Sequence, residues 1–247
     1  MKVTRKRLDE ALVAAGLASS RSRARDMILR GTVSVGGAPE TKPARMVAAG
    51  EALRVDDLGA RYVSRGALKL IAGLDHFGFD PKGLTTLDIG ASTGGFTQVC
   101  LERGARHVLA LDVGTGQLDA GLAANPRVTR LEGMNARALT RDDLGGAPVE
   151  AIVCDVSFIS LKLALPPALG LAEPGAWGIF LVKPQFEVGR EAIGKGGIVR
   201  DQAVAEGAAA DFEAWLGSQG WRVAGRIASP IAGGDGNREF LVGARRG

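Results

Sequence analysis

The 247-residue sequence predicts an α/β protein: a mostly parallel seven-stranded sheet covered by helices, preceded by a small α+β module. Three observations carry that expectation. Five strand-like apolar runs ("TTLDIG", "HVLALDVG", "VTRLEG", "AIVCDVS" and "GIFLVKP") occur among the helix-like segments "GGFTQVCLERG", "TGQLDAGLAA" and "LKLALPPALGLA". Near-continuous apolar strands separated by helices mark a parallel sheet buried on both faces. Two further runs, "RVAGRIAS" and "REFLVGAR", follow the long helical stretch "DQAVAEGAAADFEAWLGSQG" and read as a closing strand pair joined by the Gly-rich "PIAGGDGN". Charge is also uneven: residues 1–65 hold 13 Lys/Arg against 7 Asp/Glu, and the remainder 18 against 20. A basic module joined to a nearly neutral one points to a polyanionic partner.

The bulk composition excludes several classes. Apolar residues make up 46% and charged residues 23%, the balance of a globular protein in water. No apolar run approaches the ~18–20 residues of a membrane span. Asp9 and Glu10 interrupt the first amphipathic segment, which argues against a signal peptide. Cys100 and Cys154 sit inside apolar runs and read as buried thiols of a cytoplasmic protein, not as a disulfide. His76 and His107 have no Cys or His partner at ligand spacing, so no metal is expected.

Along the chain, residues 1–58 form the first module, 59–64 a linker and 65–247 the second module. In "KRLDEALVAAGL", Leu8, Ala11, Leu12 and Ala15 fall at helical spacing, and Gly16 ends the run. "SSRSRARDMILRG" restarts a helix with Ser19 or Ser20 as N-cap, an apolar face of Ala24, Met27 and Ile28, and Gly31 as its stop. "TVSVGG" and "ALRVDD" alternate as short strands around the turn-rich "GGAPETKP". One run of arginines would read as a solvated helix surface. Here two basic clusters, Arg5-Lys6-Arg7 and the set Arg21, Arg23, Arg25 and Arg30, fall within one helix pair. With "RLDEAL" and "SSRSRARDMILRGTVSVGG", the module resembles the small RNA-binding domain named after ribosomal small-subunit protein four. The resemblance implies that these basic residues grip folded RNA through its backbone, contacts that position more than they read sequence.

The stretch "LDIGASTGGF" follows an apolar strand and must hold something. A Walker phosphate loop fails because no Lys follows, and the dinucleotide fingerprint fails because Gly90, Gly94 and Gly95 have the wrong spacing. "GASTG" matches a serine-nucleophile elbow with Ser92 as nucleophile, but only His107 follows and no triad assembles in the required order. The remaining reading is a loop for S-adenosylmethionine, bound by Gly90, Ala91, Ser92, Gly94, Gly95 and Phe96, with the glycines permitting close backbone approach. Asp112, at the end of the second strand and next to Val113, would take the ribose hydroxyls, and Asn135 the adenine edge.

Charged residues end other strands at the same rim. Asp155 ends "AIVCD", Lys183 ends "GIFLVK", Glu239 opens the last strand, and Lys69 lies on a helix before the first strand. Singly, each would be a strand reaching solvent. Together they match, residue by residue, the Lys-Asp-Lys-Glu tetrad of the FtsJ-type ribose methyltransferases, which the second module resembles. "LDIGASTGGFT", "DVSFISL" and "VKPQFE" fit as well. With the RNA-binding module in front, nearly the whole chain resembles the TlyA, or haemolysin A, family. The interdomain "ARYV", Ala60–Val63, departs from that family in carrying Tyr where Trp is expected.

The resemblance implies a Rossmann-like fold, S-adenosylmethionine as cofactor, ribosomal RNA or ribosomal subunits as partner, and transfer of a methyl group to ribose 2′-hydroxyls. It also implies Lys69, Asp155, Lys183 and Glu239 as catalytic, with Asp155 shared by the cofactor site. Lys183 is central in either of two roles. As a base it must be neutral, which burial and Lys69 would favour; held charged by Asp155 and Glu239, it orients the oxygen and offsets its developing charge. Two other functions compete: an RNA-binding assembly protein with an idle methyltransferase fold, and a membrane-lytic protein. The tetrad speaks against the first. Against the second, the best amphipathic segment, "DEALVAAGLA", is short and Ala-rich. No membrane or obligate protein partner is expected. "QFEVGREAIGKGGIVRD" is either a substrate flap beside Lys183 or a surface loop.

Overall fold

In the computed structural model, residues 5–18, 20–56, 61–233 and 236–247 are described. The chain divides into two compact units, Met1–Arg61 and Tyr62–Gly247. Residues 57–60, the end of the first module and the first two residues of the expected linker, lie outside the described residues, as do the N-cap candidate Ser19 and residues 234 and 235 of the Gly-rich connector.

The first unit runs β1 (Arg5–Arg7), α1 (Leu8–Ala14), α2 (Arg21–Leu29), β2 (Val33–Val35), β3 (Ala38–Pro39), β4 (Met46–Ala48) and β5 (Leu53–Val55). Its core is Leu8, Leu12, Ala24, Met27, Ile28, Val33, Val35 and Val47, the two helical faces the spacing predicts closed by small sheets. Ser20 caps α2 by accepting from the Arg23 N–H at 3.2 Å. Arg5-Lys6-Arg7, expected within the helix pair, instead form a strand. They pair antiparallel with Ala48, Val47 and Met46, and Leu8 N–H donates to the Arg45 carbonyl at 2.8 Å. Arg and Lys are good helix formers, but a helix through Arg5 would leave the backbone of β4 without this partner, and tertiary pairing outweighs propensity.

The second unit contains α3 (Gly66–Phe77), β6 (Thr85–Ile89), α4 (Gly95–Glu102), β7 (His107–Asp112), α5 (Ala120–Ala123), β8 (Val128–Glu132), β9 (Val149–Cys154), α6 (Leu161–Ala164), α7 (Pro166–Leu171), β10 (Ala172–Val182), α8 (Pro184–Glu187), α9 (Gln202–Ser218), β11 (Trp221–Ala228) and β12 (Phe240–Arg246). The seven strands lie in the order β11-β12-β10-β9-β6-β7-β8. Five are parallel, and β12 runs antiparallel to both its neighbours, as the closing pair predicts. One apolar cluster, including Leu87, Ile89, Ile152, Phe180 and Phe212, covers one face. A second, including Leu70, Leu74, Val99, Val153 and Ile179, covers the other.

Three elements differ from expectation. "TGQLDAGLAA" is helical only over Ala120–Ala123, where Asp119 accepts from the Gly121 and Leu122 N–H groups; Gly116, at φ +64°, lies in the irregular part. "LKLALPPALGLA" breaks into α6 and α7 at Pro166, which has no N–H to continue the ladder. β10 starts at Ala172, earlier than the apolar run suggests, and its pairing to β9 shifts register between Ala172 and Trp177.

This topology sets the site. The chain leaves β6 for β7 and β8, then returns to β9 on the opposite side of β6. That reversal opens a crevice at the carboxyl ends of β6 and β9, the usual place for ligands in open α/β sheets.

Candidate active site

Two cavities meet at this crevice. One, of about 290 Å³, is walled by Ser64, Lys69, Asp155, Ser157 and Lys183. The other, of about 550 Å³, is walled by Asp112, Val113, Gln117, Asn135 and Phe158. Gly90, Ser92, Asp155 and Ser157 line both, so the cavities share a wall.

The four charged residues come together as two ion pairs. Lys69 reaches from α3 to Glu239 at 2.5 Å, both side chains largely buried. Its helix can lie close to the sheet because residue 73 is Gly: a Cβ there would stand 3.2 Å from Ile179. Lys183, at the end of β10, stands 2.6 Å from Asp155 Oδ1 at the end of β9. That contact is off the angle a hydrogen bond requires, since Oδ1 has no hydrogen-bond donor. The aligned hydrogen bond from Lys183 Nζ goes to Ser157 Oγ, at 2.7 Å.

The glycine loop is bound by its backbone. Gly90 and Ala91 N–H both donate to the Leu111 carbonyl, and Ser92, at φ +47°, donates its N–H to Asp112 Oδ2 at 2.8 Å. Asp112 Oδ1 accepts from Gly114 N–H at 2.7 Å, so this carboxylate ties the first loop to the second. The glycines mainly make room for the protein itself. At Gly90 (φ +82°) a Cβ would lie 2.8 Å from the Asp155 carbonyl oxygen; at Gly94 (φ +98°) it would strike Leu122, and at Gly95, Ser64. Gly94 lines neither cavity, whereas Gly95, Phe96 and Ala91 line the smaller one. Asn135 uses its Oδ1 to cap the turn at Ala136–Ala138 by accepting from Arg137 N–H at 3.0 Å. The larger cavity fits a nucleoside: a carboxylate on one wall, apolar side chains around it, and the irregular loop where a bulkier residue than Gly90 would push Asp155 aside.

Beneath the loop, Asp88 is fully buried and accepts from the Thr97 hydroxyl at 2.6 Å, while its Oδ1 is unpartnered. Burial lifts its carboxyl to about 7, aided by Asp155 and Asp112 and opposed by Thr97. Cys100 and Cys154 are free, buried thiols whose pKa burial raises.

Several residues at the site escaped the sequence reading. Ser157 left no signal beyond its motif. Phe158 stands 91% exposed at φ +65°, its ring 5.3 Å from that of Phe186. Glu187 accepts from the Ser160 hydroxyl at 2.6 Å and the Leu161 N–H at 2.8 Å, stapling the "DVSFIS" and "VKPQFE" segments together. The segment after Glu187 is tied down by Asn237, whose amide accepts from Val199 N–H and donates to the Gly197 carbonyl, both at 2.9 Å.

In the first unit, Arg5, Lys6, Arg21 and Arg25 are exposed. Arg7 and Arg21 converge on the buried Asp9, at 3.0 and 3.2 Å, and Arg30 pairs with Asp26 at 3.1 Å. Arg23 is half-buried. The Arg7 guanidinium holds the Asp9 carboxyl below the usual carboxylate range, overcoming its desolvation. Part of the basic cluster is therefore committed to holding the unit together. Among the described residues no helix is long and apolar enough to cross a membrane.

A seven-stranded sheet with one reversed strand, carrying a nucleoside-sized cavity against a pocket of paired lysines and carboxylates, defines the class of Rossmann-like methyltransferases. The FtsJ-like methyltransferase family matches residues 62–246, and the S4 domain residues 6–53. The chain is 45% identical to the 16S/23S rRNA (cytidine-2'-O)-methyltransferase TlyA of Mycobacterium tuberculosis, over 98% of this chain and 90% of that one. It is 37% identical to Hemolysin A of Brachyspira hyodysenteriae, over 96% and 98%. A solved structure from Streptococcus thermophilus that carries the hemolysin label superposes with a TM-score of 0.78 at 39% identity, over 99% of this chain and 89% of that one. The chain belongs to the TlyA family of FtsJ-like methyltransferases.

Proposed function

We propose that the protein transfers a methyl group from S-adenosylmethionine to a ribose 2′-hydroxyl of ribosomal RNA, a cytidine as in the Mycobacterium tuberculosis relative, and that it does so in the cytoplasm. The observation that carries this reading is the shared wall: the cavity that fits a nucleoside opens beside the two lysine–carboxylate pairs. S-adenosylmethionine would supply a methyl group already attached to a good leaving group, a sulfonium. Asp112 and Asn135 would hold its nucleoside, and the loop from Gly90 to Phe96 its amino-acid end.

The chain's own task is then to hold a weakly acidic hydroxyl in line and ease the loss of its proton. Paired with Asp155 and bonded to Ser157, Lys183 works as an ammonium that orients the oxygen and offsets the charge developing on it. Positioning of this kind contributes up to ~7–11 kcal/mol in well-oriented systems. Lys69, paired with Glu239, lines the same pocket. Phe158 offers an exposed ring at the rim, on which an unstacked base can lie.

The test is transfer of labelled methyl from S-adenosylmethionine to purified ribosomal subunits, followed by nucleoside analysis. The expected product is a 2′-O-methylated nucleoside. Binding to subunits with no methyl transfer would favour an assembly protein with an idle fold instead.

A further inference from the structure

Resting on that reading, we infer that Ser157 is a positioning residue for methyl transfer: its hydroxyl, not Asp155, fixes the direction of the Lys183 ammonium at the seam between the two cavities. Three observations converge on it. First, Lys183 has two close oxygen partners, but only one makes an aligned hydrogen bond. That one is Ser157 Oγ at 2.7 Å; Asp155 Oδ1, at 2.6 Å, supplies charge without direction. A lysine ammonium is a compact charge on a flexible stem, so an aligned acceptor decides where its remaining N–H bonds point.

Second, Ser157 is one of four residues that wall both cavities, and it is solvent-exposed. It stands where the methyl donor and the acceptor hydroxyl must meet. From there, the Lys183 N–H bonds that Ser157 does not accept are free to point at the incoming ribose oxygen.

Third, the loop that carries Ser157 is fixed by the segment that carries Lys183. Glu187, four residues beyond Lys183, bonds both the Ser160 hydroxyl and the Leu161 N–H, and Phe186 lies against Phe158. The two segments are thereby joined as one rim, and the distance from Ser157 to Lys183 is built in.

The test compares full-length Ser157→Ala, Ser157→Thr and wild type in single-turnover methylation of ribosomal subunits. Binding of S-adenosylhomocysteine and of subunits is measured in parallel. Ser157→Ala is expected to slow methyl transfer about 10–100-fold, the scale of a misplaced reacting group, and to leave both affinities near wild type. It should also change the shape of the pH–rate profile, because Lys183 loses its aligned acceptor. Ser157→Thr, which keeps the hydroxyl, should recover most of the rate. A wild-type rate and profile in Ser157→Ala would overturn the inference. So would a loss shared by cofactor affinity, subunit affinity and thermal stability, which would mark a merely structural residue. A wild-type protein that transfers no methyl would overturn the functional reading and this inference together, whereas an active wild type unaffected by Ser157→Ala overturns the inference alone.

Discussion

Lys69 and Glu239 are among the most deeply buried charges of the second unit, at 8% and 3% exposure, and they balance one another. Removing one leaves the other buried without a counter-charge, which typically costs ~3–5 kcal/mol. Lys69→Met should therefore lower stability by about that much, and Lys69→Met with Glu239→Gln by clearly less; denaturant titration of the two variants checks the difference. Asp88 gives a second expectation. Its carboxyl holds its proton up to about 7 in the folded protein, against an ordinary value of 3.8. Between those values the folded state binds more protons than the unfolded one. The stabilisation is full below the lower value and is lost as pH rises toward the upper one. A shift of this size corresponds to a few kcal/mol, up to about 4. The thermal unfolding midpoint of wild type should thus fall from pH 5 to pH 8 through this group, and Asp88→Asn should flatten that part of the dependence.

Among the elements, the Gly90–Phe96 loop shows what sequence can and cannot disclose. Its position after a strand, and Asp112 on the next strand, were legible because period and spacing survive in one dimension. What each glycine makes room for was not, because the neighbours that crowd them (the Asp155 backbone, Leu122 and Ser64) are far away in the chain. Gly90→Ala should both destabilise the fold, by ~1–3 kcal/mol for the strained φ alone, and displace Asp155. Loss of methyl transfer exceeding the loss of stability is the measured sign. Half of the tetrad was legible for a related reason: Asp155 and Lys183 close neighbouring apolar runs whose ends share a rim, while Lys69, on a helix, and Glu239, before an antiparallel strand, join them through the match to the FtsJ-type tetrad. Its pairing into Lys69–Glu239 and Lys183–Asp155 was not legible, nor was Ser157, since both depend on side-chain direction. Arg5–Arg7 reads as helix for want of its distant partner, β4. The question of a flap after Glu187 receives a partial answer: Asn237, 1% exposed, anchors Gly197 and Val199.

For the whole molecule, the division of charge becomes a division of labour. Arg5, Lys6 and Arg25 are exposed on the first unit and free of Asp9, while Arg7 and the equally exposed Arg21 serve Asp9. Lys6→Glu with Arg25→Glu should weaken subunit binding and reduce its salt dependence, each lost phosphate contact lowering the slope by about 0.7–0.9. The affinity for S-adenosylhomocysteine should not change. The central claim, that a nucleoside cavity and a lysine-centred pocket serve one methyl transfer, is tested most directly with Lys183→Ala. The measurement is the yield of 2′-O-methylcytidine in ribosomal RNA treated with wild type or variant, alongside calorimetric binding of S-adenosylhomocysteine. Wild type should yield a methylated ribose and Lys183→Ala none, with near-equal cofactor affinity for both. A methyl group found on a base, or undiminished ribose methylation by Lys183→Ala, would contradict it.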